Sequence, residues 1–550
     1  MNELDRPPAA RSVTPPRMLI LAISLALAAV ALCSCISQPR EESDFVGPAR
    51  GNPLLGPVPA SAPATIPSLP PPIPATGPVR LGLLDAVLVT LRENRDLAVQ
   101  KFNPPIERTF EDTQRAAFDP TISGHVEGGL SDVPPPVNRV PDYTNTSDGQ
   151  IELDEFFPTG TTVAVSGQSS YSATSPGGSP LDITRVGISV TQALLRGNDI
   201  NANLATLREA EIDTRVSQYV LRGFVVDLVA QVEETYWNYA LAQRQIDIFE
   251  QSLQLAKDQL AETEARIRVG ALPETERPAA QAEIALRNED LINARGELET
   301  TRLNLLKLIN PSGPDLWNRD IILRDQPFVP TGKLESVELH AQVAMRIRAD
   351  LNEARLEVEH GDLEVVRTRN GMLPVLNFFV TAGKSGYAES FGQTVHDLPR
   401  GSASGYDFEA GIQFSDTVGE RDTRAAYRRA VLTREQAQEA VANLLQLAQL
   451  DVRSAYIEVR RAREQIDATA ASRKLEQEKL RSEQQKLRVG RSTSLQVAQV
   501  QRDLLSAQIA EIQAVVQYLN ALVELYRQDG SLLSRLGIAA PGKETVPGSF

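Results

Sequence analysis

The side chains able to do chemistry are few and far apart. The four histidines, His125, His340, His360 and His396, have no metal-ligand spacing between them, and only two cysteines occur, Cys33 and Cys35. A Cys-x-Cys pair could begin a metal or redox site, but nothing nearby supplies the further ligands. His396-Asp397 is a lone pair in a polar segment and reads as surface. The glycines from Gly124 to Gly129 are not followed by Lys-Ser or Lys-Thr, so they form no phosphate loop. Carboxylates are plentiful, yet they fall on the polar faces of long helical patterns. No catalytic residue, metal centre or cofactor is expected. A net charge of −15 without a basic block also speaks against a nucleic-acid partner.

The cysteines have a different use. They close an apolar run from Met18 to Leu32, preceded by Arg6, Arg11 and Arg17. A positive n-region and an h-region of about 15 residues make a signal peptide, too short for a comfortable membrane span. Leu32-Cys33-Ser34-Cys35 resembles a bacterial lipobox. Cys35 is the better acceptor because a small residue precedes it, whereas Cys33 follows the bulky Leu32. Residues 1–34 then form the signal peptide, and Cys35 carries a lipid (palmitate) that holds the chain to a membrane surface. Plain secretory cleavage and a short uncleaved anchor are the alternatives. From 35 to 79 the sequence is polar and then proline-rich, with Pro70-Pro71-Pro72, and reads as an extended tether.

The elements behind these residues come in two copies. Tyr236, Arg244-Gln245-Ile246-Asp247 and Arg268-Val269-Gly270 recur 220 positions later as Tyr456, Glu464-Gln465-Ile466-Asp467 and Arg488-Val489-Gly490. Helical periodicity runs over 197–269 and 421–489. In the first copy Tyr239, Ile246, Leu253 and Leu260 are spaced by seven, a coiled-coil seam on a rod of about 105 Å. Gly270 and Gly490 stop these helices, and return helices follow over 273–309 and 494–536. Ahead of each long helix lie a shorter helical pattern and a region of period two, 119–191 in the first copy and 374–415 in the second. The two shorter helices of each copy together match its long helix in length, so end-to-end stacking would give a second rod. The first repeat thus covers 80–315 and the second 334–536, with a connector at 316–333 and a loose tail at 537–550. Asp96-Leu97 matches Asp350-Leu351 at an offset of 254, but Gly187-Ile188 matches Gly411-Ile412 at 224, so the first strand region is 30 residues longer. The extra residues fall between Ser131 and Thr159, as a long loop or an added hairpin. None of the strands is a continuous apolar run, which suits a barrel with one wet face.

In this order the motifs resemble the TolC-type outer membrane efflux protein family over nearly the whole mature chain. Leu83-Leu84-Asp85-Ala86 with Asn94-Arg95-Asp96-Leu97 is similar to the opening helix, echoed by Met345-Arg346-Ile347-Arg348-Ala349-Asp350-Leu351. Leu373-Pro374-Val375-Leu376 resembles the helix-to-strand entry. Val190-Thr191-Gln192-Ala193-Leu194 resembles the strand exit, with Ala193 where the family usually has proline. Val269-Gly270-Ala271 and Val489-Gly490 resemble the helix-turn tips. The resemblance implies a mainly α fold of long antiparallel helical hairpins with membrane β-structure. It implies a homotrimer in which each protomer gives four strands to a 12-stranded barrel in the outer membrane of a diderm bacterium. It also implies a helical tunnel reaching into the periplasm to meet an adaptor and an inner-membrane transporter.

The same resemblance assigns the tip residues Arg268, Val269, Gly270, Ala271, Arg488, Val489 and Gly490 to adaptor contact, beside the plainer reading that the glycines cap helices. Family members often carry acidic rings six and nine positions after the second tip glycine. Here those positions are Gln496 and Gln499, which argues against an acidic constriction. Glu274 and Glu276 could supply charge at the first tip, although helix-start carboxylates are usually solvated. Arg488 and Arg491 could pair across a closed tip. Two rivals are a periplasmic adaptor lipoprotein, which usually has one hairpin rather than two, and a non-conducting coiled-coil spacer, which has no use for strands.

Overall fold

A computed structural model describes residues 77–133, 142–175, 178–311, 316–330, 332–399, 404–542 and 546. The signal peptide, Cys35 and the tether up to residue 76 lie outside them. In chain order the elements are β1 (Val79–Leu81), α1 (Leu83–Glu93), α2 (Arg95–Gln100), α3 (Asn103–Arg115), β2 (Thr121–Val133), β3 (Asp142–Phe157), β4 (Thr161–Ser175), β5 (Leu181–Ala193), α4 (Ala205–Arg268) and α5 (Glu276–Ile309). There follow β6 (Ile321–Leu323), α6 (Val337–Ile347), α7 (Ala349–Gly371), β7 (Val375–Ala388), α8 (Phe391–Asp397), β8 (Ser404–Ser415), α9 (Arg421–Arg488) and α10 (Ser494–Gln528).

The long helices α4 and α9 have 64 and 68 residues, rods of about 100 Å. α4 begins at Ala205, later than the glycine at 197, because Asp199 caps a separate single turn, Ile200–Asn203. Against α4 pack α5 at one end and α1 and α3 towards the other; α9 packs in the same way on α10, α6 and α7. Side chains splice the stacked helices in the first repeat. Asn310 ends α5 with φ 38 and its Nδ2 donates to Glu93 O at 3.0 Å, while Asn94 Nδ2 donates back to Leu308 O at 3.0 Å. In the second repeat Gly530, 220 positions after Asn310, takes φ 73 at the end of α10 and lies against Arg348. Asn94 (φ −63, ψ 127) and Arg348 (φ −61, ψ 129), separated by the 254 offset, break their helices with the same backbone. The repeat therefore extends to backbone conformation.

The main core gathers where these breaks meet the long helices. Val79, Leu81, Val87, Leu97, Tyr236, Leu305, Leu306 and Ile309 are almost wholly buried there, each large aliphatic side chain stabilising by about 2 kcal/mol. The second repeat packs more thinly, on Ala344, Val452, Ala462 and Leu525. Val79 corrects the tether boundary at 79: it is buried in β1, which pairs in parallel with β6 inside the supposed connector. Three-residue strands show no period in sequence, which is why both were missed. The tail is not loose throughout either. Val546 is 2% exposed, packs with Ile212, Tyr219 and Leu356, and donates its N–H to Asn352 Oδ1 at 3.1 Å.

The strands form one antiparallel sheet of six, ordered β2-β3-β4-β5-β7-β8. This corrects the expected four strands per protomer. The 30 extra residues add one pair of strands: β2 starts at the 254 offset from β7 (375 − 121 = 254) and Gly187 of β5 keeps the 224 offset to Gly411 of β8, so the added pair lies between them, as β3 and β4. Alternation was hidden because Thr144 to Gln150 are polar or glycine on both faces.

Candidate functional site

Two places in the fold present unusual chemistry to their surroundings. The first is the sheet. Its register sets Ile122, Leu153, Val165, Ile188, Ala382 and Phe408 in one row across all six strands. The same face carries Val126, Leu130, Phe378, Tyr406, Ile412 and Phe414, all exposed, with Val126 at 86%. An uncovered apolar surface of this extent is not a water-facing surface. The charged residues described on this face lie towards its ends: Glu155 near the foot of β3, Lys384 beside Tyr406, and Asp182 at the top of β5. Helix α8 covers that last point. Thr394 is fully buried there, with its Oγ1 2.8 Å from that of Thr184, and Ser169 Oγ donates to Asp182 Oδ1 at 3.0 Å.

The opposite face is polar. His125 Nε2 lies 3.2 Å from Asp148 Oδ1, and Gln168 Nε2 donates to Asp148 Oδ2 at 3.2 Å. Arg185 reaches across β7 to Asp407, its NH2 donating to Oδ2 at 2.6 Å. Gly383 leaves room beneath it: a Cβ there would stand 2.6 Å from the guanidinium, which would have to shift. Glu127, Glu152, Asp154 and Glu409 share this face by register. Strands of 12 to 16 residues exceed the 9–11 or so that span a bilayer when tilted. Such a wall separates lipid from water. Among the described residues no helix is long and apolar enough to cross a membrane.

The second place is the pair of tips. Gly270 and Gly490 both adopt φ 74, with nothing within 4 Å of a Cβ at either. Gly270 N donates to Ile267 O at 2.9 Å and Ala271 N to Arg266 O at 2.8 Å; Gly490 and Arg491 repeat this with Leu487 and Lys486. These are Schellman closures, so glycine is needed for its left-handed backbone. The residue before each glycine has no internal use: Val269 and Val489 are 78% and 70% exposed. Arg268, Ala271, Arg488 and Arg491 are exposed too, and none of the three arginines forms an ion pair among the described residues. Glu274 pairs with Arg277 at 2.8 Å, and Glu276 opens α5. Gln496 is occupied as a cap, its Oε1 accepting from Thr493 N at 3.2 Å, while Gln499 is exposed. Ser492 and Lys486 hold the Glu483 carboxyl below the usual carboxylate range.

Just above the tips the sequence concealed a further feature. A cleft of about 440 Å³ separates the two hairpins, lined by Ala256, Thr263, Glu276, Leu286, Leu495 and Ala498. At its wall Gln501 Nε2 donates to Gln259 Oε1 at 2.7 Å, tying α10 to α4. These glutamines are not at equivalent repeat positions, so nothing in the pattern singled them out. The histidines remain apart, and no group of His, Cys, Asp and Glu among the described residues could hold a metal ion.

This architecture is similar to several solved channels. The CusC structure, which addresses folding and transmembrane channel formation, shares 18% identity over 83% of this chain and 92% of that chain, with a TM-score of 0.60. The Campylobacter jejuni CmeC outer membrane channel gives 16%, 82%, 86% and 0.59, and the Vibrio cholerae outer membrane protein VceC 14%, 82%, 96% and 0.60. No curated protein matches the chain. A family model described as "Outer membrane efflux protein" matches residues 149–311 and 341–531, both repeats and well over half the sequence. With its lipid-facing sheet and paired helical hairpins, the chain belongs to the outer membrane efflux protein family.

Proposed function

We propose that this outer membrane efflux protein is the exit duct of a tripartite efflux or type I secretion system, conducting passively from a periplasmic adaptor and an inner-membrane transporter to the outside. Family members are trimeric channels that work with such partners. The observation that carries the reading is the sheet with one uncovered apolar face and one charged face, set on helices of about 100 Å. A sheet with open edges is not tolerated in lipid, so closure comes from further copies of the chain. The polar face then lines a water-filled lumen, and the helices descend into the periplasm.

The exposed valines beside Gly270 and Gly490 suit an apolar contact with the adaptor. Opening is a population shift of the tip helices, biased by whichever conformation the adaptor binds more tightly. A lipid on Cys35 supplies a second membrane attachment. A Cys35→Ser chain that still incorporates radiolabelled palmitate would remove that part of the reading. Purified full-length protein reconstituted in a planar bilayer should give discrete channel events, and their complete absence in both chain and tip variants would overturn the function. A non-conducting spacer is disfavoured by the sheet, and an adaptor by the two complete hairpins.

A further inference from the structure

We propose that the assembled barrel has eighteen strands, six from each of three copies, with its seams made by β2 of one copy against β8 of the next. This rests on the reading of the chain as a trimeric outer-membrane duct. Resemblance alone implied twelve strands.

The β2–β3 hairpin is built as wall. Thirteen residue pairs join β2 to β3, and fifteen join β3 to β4. The edge of β4 is therefore already taken by β3 and cannot receive a neighbouring copy. The apolar stripe of Ile122, Val126 and Leu130 on β2 continues that of Ile151 and Leu153 on β3. Outside lipid this stripe would stand in water. At its foot the hairpin is fastened to the rest: Phe118 stacks on Phe156 with centroids 6.0 Å apart, and Asn203 Nδ2 donates to Pro158 O at 2.8 Å.

The register carries the tilt of a barrel through all six strands. A line of paired residues starts at the foot of β2, Thr121, and passes through Asp154, Ala164, Ser189 and Thr381 to Glu409. Glu409 stands six residues above the foot of β8, Ser415 (415 − 409 = 6). That is roughly one residue of stagger per strand. With strands about 4.8 Å apart and a rise of about 3.3 Å per residue, the tilt is roughly 35–40°, the range closed barrels use. The first step already takes three of the six residues, since Asp154 stands three residues above Phe157, the foot of β3 (157 − 154 = 3).

Two edges remain, β2 running away from the helices and β8 running towards them. They meet antiparallel when one copy follows another, and their inward faces match when odd-numbered residues meet odd. Extending the stagger by one strand places Gln413 beside Ser123 of the next copy. Barrel width grows roughly in proportion to strand number, so the mouth is about half again as wide as a twelve-stranded one. On the side of the long helices only four strand ends join helices, those of β2, β5, β7 and β8. The widening is thus confined to the membrane and leaves the helical tunnel unchanged.

The test is oxidative cross-linking of the full chain in outer membranes. Ser123→Cys with Gln413→Cys should give a ladder ending at trimer, with Thr121→Cys and His125→Cys bracketing the register. Ser189→Cys with Thr381→Cys, paired within one chain, checks that the face can be oxidised. A ladder from Ala164→Cys with Gln413→Cys instead would mean that β2 and β3 leave the wall and the barrel has twelve strands. That result would overturn the proposal while leaving the duct intact. No ladder from any pair in a protein that still conducts would also overturn it. Loss of both trimer and conductance in the parent chain would instead sink the duct reading beneath it.

Discussion

Val269 and Val489 are exposed at 78% and 70% with nothing of their own chain to cover them, so they add almost nothing to the stability of the fold. Replacing both with serine should leave the melting temperature unchanged and weaken adaptor binding, read by titration with purified adaptor. Equal affinity would show that the tips do not make the contact. The glycines beside them act differently. Gly270→Ala or Gly490→Ala meets open space but a φ of 74, so the cost is backbone strain of about 1–2 kcal/mol and the turn is re-formed rather than emptied. A buried carboxyl gives a pH prediction. Glu233 is 6% exposed and its Oε1 has no partner. Burial, with Glu234 adding to it, pushes its pKa from 4.5 up to about 7. Because the folded value is the higher one, Glu233 is harmless at pH 4 and costs stability as pH rises through about 7. Glu233→Gln should therefore match the parent at pH 4 and exceed it at pH 8, by at most about 3 kcal/mol. Equal melting temperatures at pH 8 would show that the carboxylate is solvated.

Elements carry the gating prediction. The two hairpins of a protomer are separate coiled coils near the tips, bridged there by Gln259 and Gln501. Untwisting α9 and α10 away from α4 must break this bond. A Gln259→Cys, Gln501→Cys chain should therefore conduct normally when reduced and be held closed when oxidised, seen as loss of channel events that dithiothreitol restores. Unchanged conductance after oxidation would mean that the hairpins do not part there. At this scale the sequence was informative where a pattern repeats and silent where it does not. The offset of 220 located the tips and that of 254 paired Asp96-Leu97 with Asp350-Leu351, because homologous turns need the same backbone, but the breaks beside them at Asn94 and Arg348 carry no glycine or proline to mark them. The 30-residue excess marked the place of an added strand pair, β3 and β4, but Thr144 to Gln150 lack the apolar alternation that would have declared a hairpin. β1, β6 and the docked Val546 are tertiary pairings of single residues or triplets, too short to leave a period.

In the proposed barrel the whole molecule sets one field across the lumen. Glu127, Asp148, Glu152, Asp154, Asp407 and Glu409 face it, opposed by Arg185, which is spent on Asp407. Four of these six carboxylates stand on β2 and β3. An acidic wall raises the local concentration of cations, so the conducting state should prefer potassium to chloride, measured as the reversal potential in a potassium chloride gradient. Screening shortens the reach of these charges from about 10 Å at 0.1 M to about 3 Å at 1 M salt, and the preference should fall accordingly. Arg185→Ala frees Asp407 and should increase it. Glu127→Gln with Glu152→Gln should reduce it without moving the melting temperature, since neither carboxylate is buried. A channel indifferent to all three changes would place the selective step in the helical tunnel. The added strands would then contribute width to the mouth and no discrimination.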